Sequence, residues 1–362
     1  MRFYNLLKFE SCIFYLALSL NYQIELNQMK SLSIKDIAIK ANVSITTVSF
    51  IINGKAKEKS ISEAVINKVQ KIIEESGYKP NQIARSLRTG NSNIIGLIIE
   101  DISNSFFSRI ARLIEDKAYK KGYKIIYSST ENSVDKAKEL INMFKSRKVD
   151  AYIISPIKGI EEDIQMLIND GNPVILFDRN LPEINTSYVG ADHFNASYQS
   201  IESFINQGKK NIALVTTDIN VPQITERYDG YKKALQDHNI PYNDELVLKI
   251  HFNQEEDETI GQIKDLFNNK NIDAVLFATN YLAISGLKVL KKINKKIGED
   301  FAVIAYDDHE AFELHTPGIS TVQQPLEEIA ENVIRLILKQ LSSKTKLEDQ
   351  QIIIPAKLII RD

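Results

Sequence analysis

The sequence is poor in the residues that several chemistries require. It has a single cysteine, Cys12, so no disulfide can form within the chain. Its five histidines, His193, His238, His251, His309 and His315, lack the spacing that gathers a metal. A reducing, cytoplasmic setting fits, and no cofactor or metal is expected. No G-x-G-x-x-G follows the first apolar run of the body, no Walker A sequence is present and no nucleophile elbow occurs. Dinucleotide and nucleoside triphosphate readings therefore lose support. An excess of one charge is lacking too: 45 Lys and Arg face 47 Asp and Glu, a net −2 that, averaged over the chain, speaks against a polyanion binder. The apolar run near the start, Cys12 to Leu20, spans nine residues, too few to cross a bilayer as a helix.

What is present fits a globular chain of two or three domains: 362 residues, 43% apolar and 25% charged. The charge is unevenly spread. Residues 29–90 carry 11 basic and 5 acidic side chains, whereas residues 91–362 carry 32 and 40, so a +6 segment precedes a −8 body. Such asymmetry points to polyanion binding by one part, with an ordinary charged surface as the alternative. Residues 1–28 look superficially like a short secretory leader, because Arg2 and Lys8 precede the apolar run. Glu10 interrupts it, however, and Met29-Lys30 directly precedes a well-formed module. We expect an upstream extension outside the fold, with Met29 as initiator and a targeting segment as the other reading.

In the basic segment, Ser33 can cap a helix with Asp36 at its N3 position and Ile34, Ile37, Ala38 and Ala41 on its buried side. Asn42 tolerates the left-handed turn that follows. Ser44 can cap a second helix running to Ile52, stopped by Asn53-Gly54. A third helix, from a cap at Ser62 through Val65, Ile66, Val69, Ile72 and Ile73 to Gly77, would close a small core. Two short helices joined this way make a helix-turn-helix, whose second helix can enter the DNA major groove; a helical hairpin without a DNA role has the same pattern.

The residues themselves narrow the choice. Ile34-Lys35-Asp36-Ile37-Ala38, Ala41-Asn42-Val43-Ser44-Ile45-Thr46-Thr47-Val48-Ser49, Asn53-Gly54 and Gly77-Tyr78-Lys79-Pro80-Asn81-Gln82-Ile83-Ala84-Arg85-Ser86-Leu87 occur in order. Together they resemble the headpiece of the LacI/GalR family of bacterial repressors. The resemblance implies a headpiece over residues 29–80 and a hinge helix and linker over 81–92. It places Ile45, Thr46 and Ser49 at recognition-helix positions facing bases and backbone, and Ser44, Thr47 and Asn53 near phosphates. Ile34 and Tyr78 join this DNA-binding set. In the hinge it implies Leu87 as a minor-groove wedge, with Ala84 packed nearby, Asn81 towards the backbone and Arg88 alongside. Phe50 departs from the family, many of whose members carry a guanine-reading arginine there. A Phe can meet a thymine methyl or turn into the core, so a different operator preference is expected. The loop Lys55-Ala56-Lys57-Glu58-Lys59 is expected near phosphates or as a solvated surface loop.

From Ile94 onward, apolar runs at 94–99, 124–127, 151–154, 174–177, 212–215, 274–277 and 302–304 alternate with helical stretches. They indicate parallel strands covered on both faces, an α/β doubly wound fold with ligands at the carboxyl ends of strands. These stretches resemble the same family's effector-binding core, itself similar to periplasmic sugar-binding proteins. The expected fold is thus a small all-α headpiece followed by two doubly wound α/β subdomains. The first would cover about 93–190 and 324–345, the second about 193–322 and 350–362, with crossings near Gly190-Ala191-Asp192, near Gln323-Gln324-Pro325 and before Gln351. By position, Asn104, Phe106, Phe107, Asp178, Arg227, Asn280 and Asp307 would line the cleft between them. Acids, an amide and a guanidinium around aromatic rings suit a hydroxyl-rich ligand, a sugar or sugar derivative. Tyr281 departs from the acid that many members carry after this Asn.

The function this implies is a sequence-specific transcriptional repressor, homodimeric, binding a pseudopalindromic double-stranded operator under control of a small-molecule effector. The missing C-terminal heptad helix favours a dimer over a tetramer. The rivals are an exported solute-binding protein and a sugar-active enzyme of α/β class. His309, just after Asp307-Asp308, reads as a surface loop residue rather than a general base.

Overall fold

The computed structural model describes residues 32–78, 90–269, 271–299, 301–343, 345 and 347–361. The expectations for residues 1–28 and for Asn81, Ala84, Leu87 and Arg88 lie outside them. The chain divides into two compact units at Gly90.

In the first unit, α1 (Ile34–Ala41) starts at a capping box: the Ser33 side chain accepts from the Asp36 amide, and Asp36 Oδ2 accepts from the Ser33 amide at 2.8 Å. Asn42 ends it in the left-handed region at φ 56°. In α2 (Ile45–Ile52), Ser44 Oγ accepts from the Thr47 amide at 3.0 Å. Ser62 precedes α3 (Glu63–Ser76) without a side-chain cap bond, and Gly77 ends it at φ 60°. The three helices meet at Ile37, Ala38, Ala41, Val48, Ile51 and Val69, with Tyr78 packed against the same core. Ala56 joins that core and pins the 55–59 loop to it while its lysines stay exposed.

The second unit holds two six-stranded sheets. The first is built from β1 (Ile94–Ile99), β2 (Lys124–Ser129), β3 (Ala151–Ile154), β4 (Val174–Phe177), β5 (Ser187–Asp192) and β11 (Gln351–Pro355), in the order β11-β5-β4-β3-β1-β2, all parallel. The second contains β6 (Ile212–Thr217), β7 (Val247–Ile250), β8 (Ala274–Phe277), β9 (Ala302–Tyr306), β10 (Ser320–Gln323) and β12 (Lys357–Ile359), in the order β12-β10-β9-β8-β6-β7, with only the β10/β12 pair antiparallel. Both faces of each sheet carry a buried apolar cluster, which is why the central strands read as unbroken Val/Ile/Leu runs. The first sheet packs α4 (Ser105–Tyr119), α5 (Val134–Ser146), α6 (Glu161–Asn169) and α12 (Leu326–Ser342). The second packs α7 (His193–Asn206), α8 (Pro222–Asp237), α9 (Glu256–Asn269), α10 (Asn280–Lys292) and the single turn α11 (Glu310–Glu313).

The expected subdomain limits need one correction. Residues 351–355, assigned to the second subdomain, form β11 on the edge of the first sheet, and the third crossing follows Pro355 instead of preceding Gln351. Hydrogen bonding decides this: the Tyr188 amide donates to the Gln350 carbonyl at 2.9 Å, the Gln350 amide donates to Ser187 Oγ at 3.0 Å, and the Gln351 side-chain Nε2 donates to the Thr186 carbonyl at 2.9 Å. At the start of the unit, Asp150 clamps the chain entering β1 by accepting from the Ser92 and Asn93 amides, each at 2.7 Å.

Candidate functional site

In the headpiece, Val48 and Ile51 turn α2 inward, leaving Ile45, Thr46, Ser49, Phe50 and Asn53 on the other side at helical spacing. Ile45 is 47% exposed, an apolar side chain with no core to enter. The Thr47 and Ser44 hydroxyls meet at 2.8 Å, and Asn53 Nδ2 donates to the Ser49 carbonyl at 2.6 Å, which fixes the ends of the helix. Phe50 does not join the core. It is half-buried, and Lys59 Nζ lies 5.5 Å from its ring centroid, so the loop and this face of α2 form one surface. Ile34, by contrast, packs against the core.

In the second unit, the carboxyl ends of the strands converge on a cavity of about 60 Å³. Asn104, Phe106, Phe107, Asp178, Arg227 and Asp307 line it. Asn280 does not; it stands at the subdomain boundary, where its Nδ2 donates to Asn104 Oδ1 at 3.1 Å, Ser105 Oγ at 3.3 Å and Asp307 Oδ2 at 3.0 Å. Asn104 also caps α4, accepting from the Phe106 amide at 3.0 Å, and the two phenylalanine rings sit edge to face at 4.9 Å. His309 caps α11, its Nδ1 accepting from the Ala311 amide.

Asp178 and Asp307 follow β4 and β9 with φ of 63° and 64°. Such backbone is uncommon for a side chain other than Gly, and it turns each carboxylate from the strand end into the cleft. Ser155 Oγ donates to Asp178 at 2.9 Å, and Gln324 Nε2 donates to Asp307 at 2.6 Å. Burial pushes the Asp178 carboxyl up to about 7, against the lowering effects of Ser155 and Arg227, with Asp307 adding to the rise. Burial raises Asp307 as well, while Arg227 and Gln324 oppose it.

Arg227 is buried and held on three sides. Its NH1 donates to the Ala278 carbonyl at 2.6 Å, its Nε and NH2 face His193 Nδ1 at 3.4 and 3.3 Å, and its guanidinium lies 4.0 Å from the Tyr306 ring centroid. Burial first, and Arg227 second, hold His193 well below its ordinary range, so the imidazole is neutral and its Nδ1 accepts. Tyr306 donates its hydroxyl to the His193 carbonyl at 3.0 Å.

The sequence reading missed several cavity residues. Arg179 follows Asp178 and pairs with Glu100, and both line the cavity. Burial lowers the Arg179 guanidinium to about 10, which leaves it charged at neutral pH. Thr217 and Gln223 are buried, line the cavity, and have Oγ1 and Oε1 atoms without a hydrogen-bond partner among the described residues. Gln223 was findable, because it lies four residues before Arg227 on one face of α8. Phe252 was not, because the edge strand before it lacks a clear apolar run.

Residues 33–81 match the family model for bacterial regulatory proteins, lacI family, and residues 201–362 match that for a periplasmic binding protein-like domain. The HTH-type transcriptional regulator RegA of Clostridium saccharobutylicum is 32% identical over 337 residues, covering 91% of this chain and 98% of RegA. Among solved structures, the lac repressor dimer bound to operator and the anti-inducer ONPF aligns at TM-score 0.79 and 21% identity, covering 92% of this chain and 98% of that one. A transcriptional regulator CelR–cellobiose complex aligns at TM-score 0.67 and 24% identity, covering 91% and 99%. With a headpiece and a two-sheet core in this order, and near-full-length identity to RegA, the chain belongs to the lacI family of bacterial regulatory proteins.

Proposed function

We propose that this regulator represses transcription as a homodimer, each headpiece reading half of a pseudopalindromic operator through the outward face of α2. Thr46, Ser49 and Phe50 then meet base edges, Ile45 meets bases or sugar, and Ser44, Thr47, Asn53 and the 55–59 lysines meet phosphates. The cleft takes a hydroxyl-rich small molecule. Asp178 and Asp307 accept hydroxyl protons, Arg227 donates, and the apolar face of the ligand packs on Phe106 and Phe107. The observation that carries this reading is the convergence of two acids with left-handed backbone, a stacked arginine and an aromatic pair on one cavity in a chain with a DNA-type headpiece. RegA is named a transcriptional regulator and the CelR structure holds cellobiose, which supports both halves. The cytoplasm is the setting in which such a protein meets its operator, and among the described residues no helix is long and apolar enough to cross a membrane.

A thermal-shift screen of sugars with the full chain tests the cleft. A ligand that binds only the folded state raises the melting temperature by mass action, and Arg227→Ala should abolish the shift. Turnover of the bound sugar would instead favour an enzyme.

A further inference from the structure

Phe50 stands on the outward side of α2 and carries no hydrogen-bond donor, so alone it can meet a thymine methyl but no acceptor on a base edge. The donor beside it comes from the loop: Lys59 Nζ lies over the ring, 5.5 Å from its centroid. We propose that Lys59 is a sequence-reading residue, its ammonium donating to the N7 and O6 acceptors of a guanine next to the base pair that Phe50 covers. The proposal rests on the reading of α2 as the element in the major groove, and it moves one of the loop lysines from phosphate to base.

The loop holds Lys59 in this place. The Lys55 amide donates to the Phe50 carbonyl at 2.9 Å, so the loop leaves α2 at the very residue it returns to cover. The Lys59 amide donates back to the Lys55 carbonyl at 3.2 Å, and the Ile61 amide to the Ala56 carbonyl at 3.0 Å, which closes a compact turn over residues 55–61. Ala56 is buried in the headpiece core and Ile61 packs against it, one anchor on each side of Lys59. Ser60 takes a left-handed backbone at φ 51° and ends the turn just after the lysine. A side chain carried by an ordered turn has less freedom to lose on binding than one on a loose loop.

Lys59 also differs from its neighbours. Lys55 and Lys57 are exposed as well, but among the described residues neither lies over a ring. No carboxylate among the described residues pairs with Lys59, so its three donors are available for another acceptor. A lysine that serves the DNA backbone reaches away from the groove-facing side chains of its module, whereas this ammonium is held over one of them. Its 5.5 Å from the ring centroid is between one and two base-pair steps of roughly 3.4 Å, so ring and ammonium address neighbouring pairs. Seating α2 in the groove removes water from both, and the attraction of a cation for a ring face grows on desolvation. Guanine suits a lone ammonium best. It presents two acceptors side by side in the major groove, where adenine sets a donor beside its N7 and cytosine offers a donor. Each half-site should therefore carry a thymine for Phe50 beside a guanine for Lys59.

The test is selection from random duplexes with the full chain, followed by fluorescence anisotropy on the selected operator at several salt concentrations. The proteins are the wild type, Lys59→Met, Lys59→Arg and Lys57→Met. Methionine keeps an unbranched apolar stem over the ring and removes the donors. The wild type should prefer guanine at one position per half-site by at least about fivefold over each other base. Lys59→Met should bring that ratio towards one and leave the other positions as selected, while Lys59→Arg should retain it. Lys57→Met sets the phosphate pattern: all duplexes weaken alike, the salt slope falls by about one per headpiece, and the selected sequence is unchanged. Lys59→Met behaving in that second way would make Lys59 a phosphate contact and overturn the proposal, with α2 still in the groove. A wild-type site without a guanine preference that Lys59→Met removes would overturn it too. A wild type that selects no sequence from the pool would remove the reading of α2 and this inference with it.

Discussion

Asp178 ties fold stability, ligand and pH together through one side chain. Its carboxyl titrates near 7 in the folded chain against an ordinary 3.8, chiefly because it is buried. Between about pH 4 and 7 the folded state therefore keeps a proton that the unfolded state has released, and stability falls as pH rises through that window. Asp307 is raised in the same direction and adds to the slope. Asp178→Asn keeps the shape, and Asn tolerates the left-handed backbone at this position. Denaturant unfolding from pH 4.5 to 7.5 should show a shallower decline in this variant, by at most about 4 kcal/mol across the window. Ligand hydroxyls that donate to the carboxylate favour its ionised form, so wild-type affinity should rise with pH up to about 7, and Asp178→Asn should flatten that rise. At the other site, Phe50→Arg replaces an apolar ring with a guanidinium that can fork onto guanine. Selection from random duplexes should then gain a guanine preference at one position per half-site, worth about 1–3 kcal/mol against other bases.

At the scale of elements, the most exacting contact is the crossing of α7 and α8. A Cβ on Gly230 would lie 2.3 Å from the Phe194 carbonyl oxygen and 3.0 Å from Ser197 Cβ, so any side chain pushes α8 away from α7. Arg227 is one turn earlier on the same face, and its own carbonyl accepts from Ser197 Oγ at 2.6 Å. Gly230→Ala should cost about 1–3 kcal/mol in denaturant unfolding and weaken sugar binding by at least about tenfold, because Arg227 leaves its place between His193 and Tyr306. Unaltered sugar affinity would show that the crossing does not position the arginine. In the headpiece, Ser33→Ala removes the capping box and should cost about 1 kcal/mol, read as faster amide exchange at the start of α1.

These elements also show what was legible beforehand. Caps and periodicity betrayed α1, α2 and α3, and unbroken apolar runs betrayed β1, β3, β4 and β8, because local chemistry dictates both. β7 and β11 were not legible as strands with known partners. They are edge strands with mixed exposure, and it is the parallel pairing with β5, residues 351–355 against 188–192, that assigns β11 to the first sheet. The acids of the cleft were legible as polar residues ending apolar runs. His193 was not, because its role follows from lying against Arg227, 34 residues away in the chain.

For the molecule as a whole, near-neutral charge is the average of a basic segment and an acidic body. Binding of duplex DNA should accordingly weaken steeply with salt, as expected when lysines and arginines release counterions. Operator and ligand are two sites on one chain, so any influence is reciprocal: a sugar that changes operator affinity by some factor must have its own affinity changed by the same factor when operator is bound. The most direct measurement is the affinity of the full chain for its selected operator duplex, by fluorescence anisotropy at fixed salt, with and without a saturating sugar identified by calorimetry, in the wild type and in Arg227→Ala. The account predicts a change of roughly 5- to 150-fold in the wild type and none in the variant. Equal wild-type operator affinities with the cleft empty and filled would contradict it.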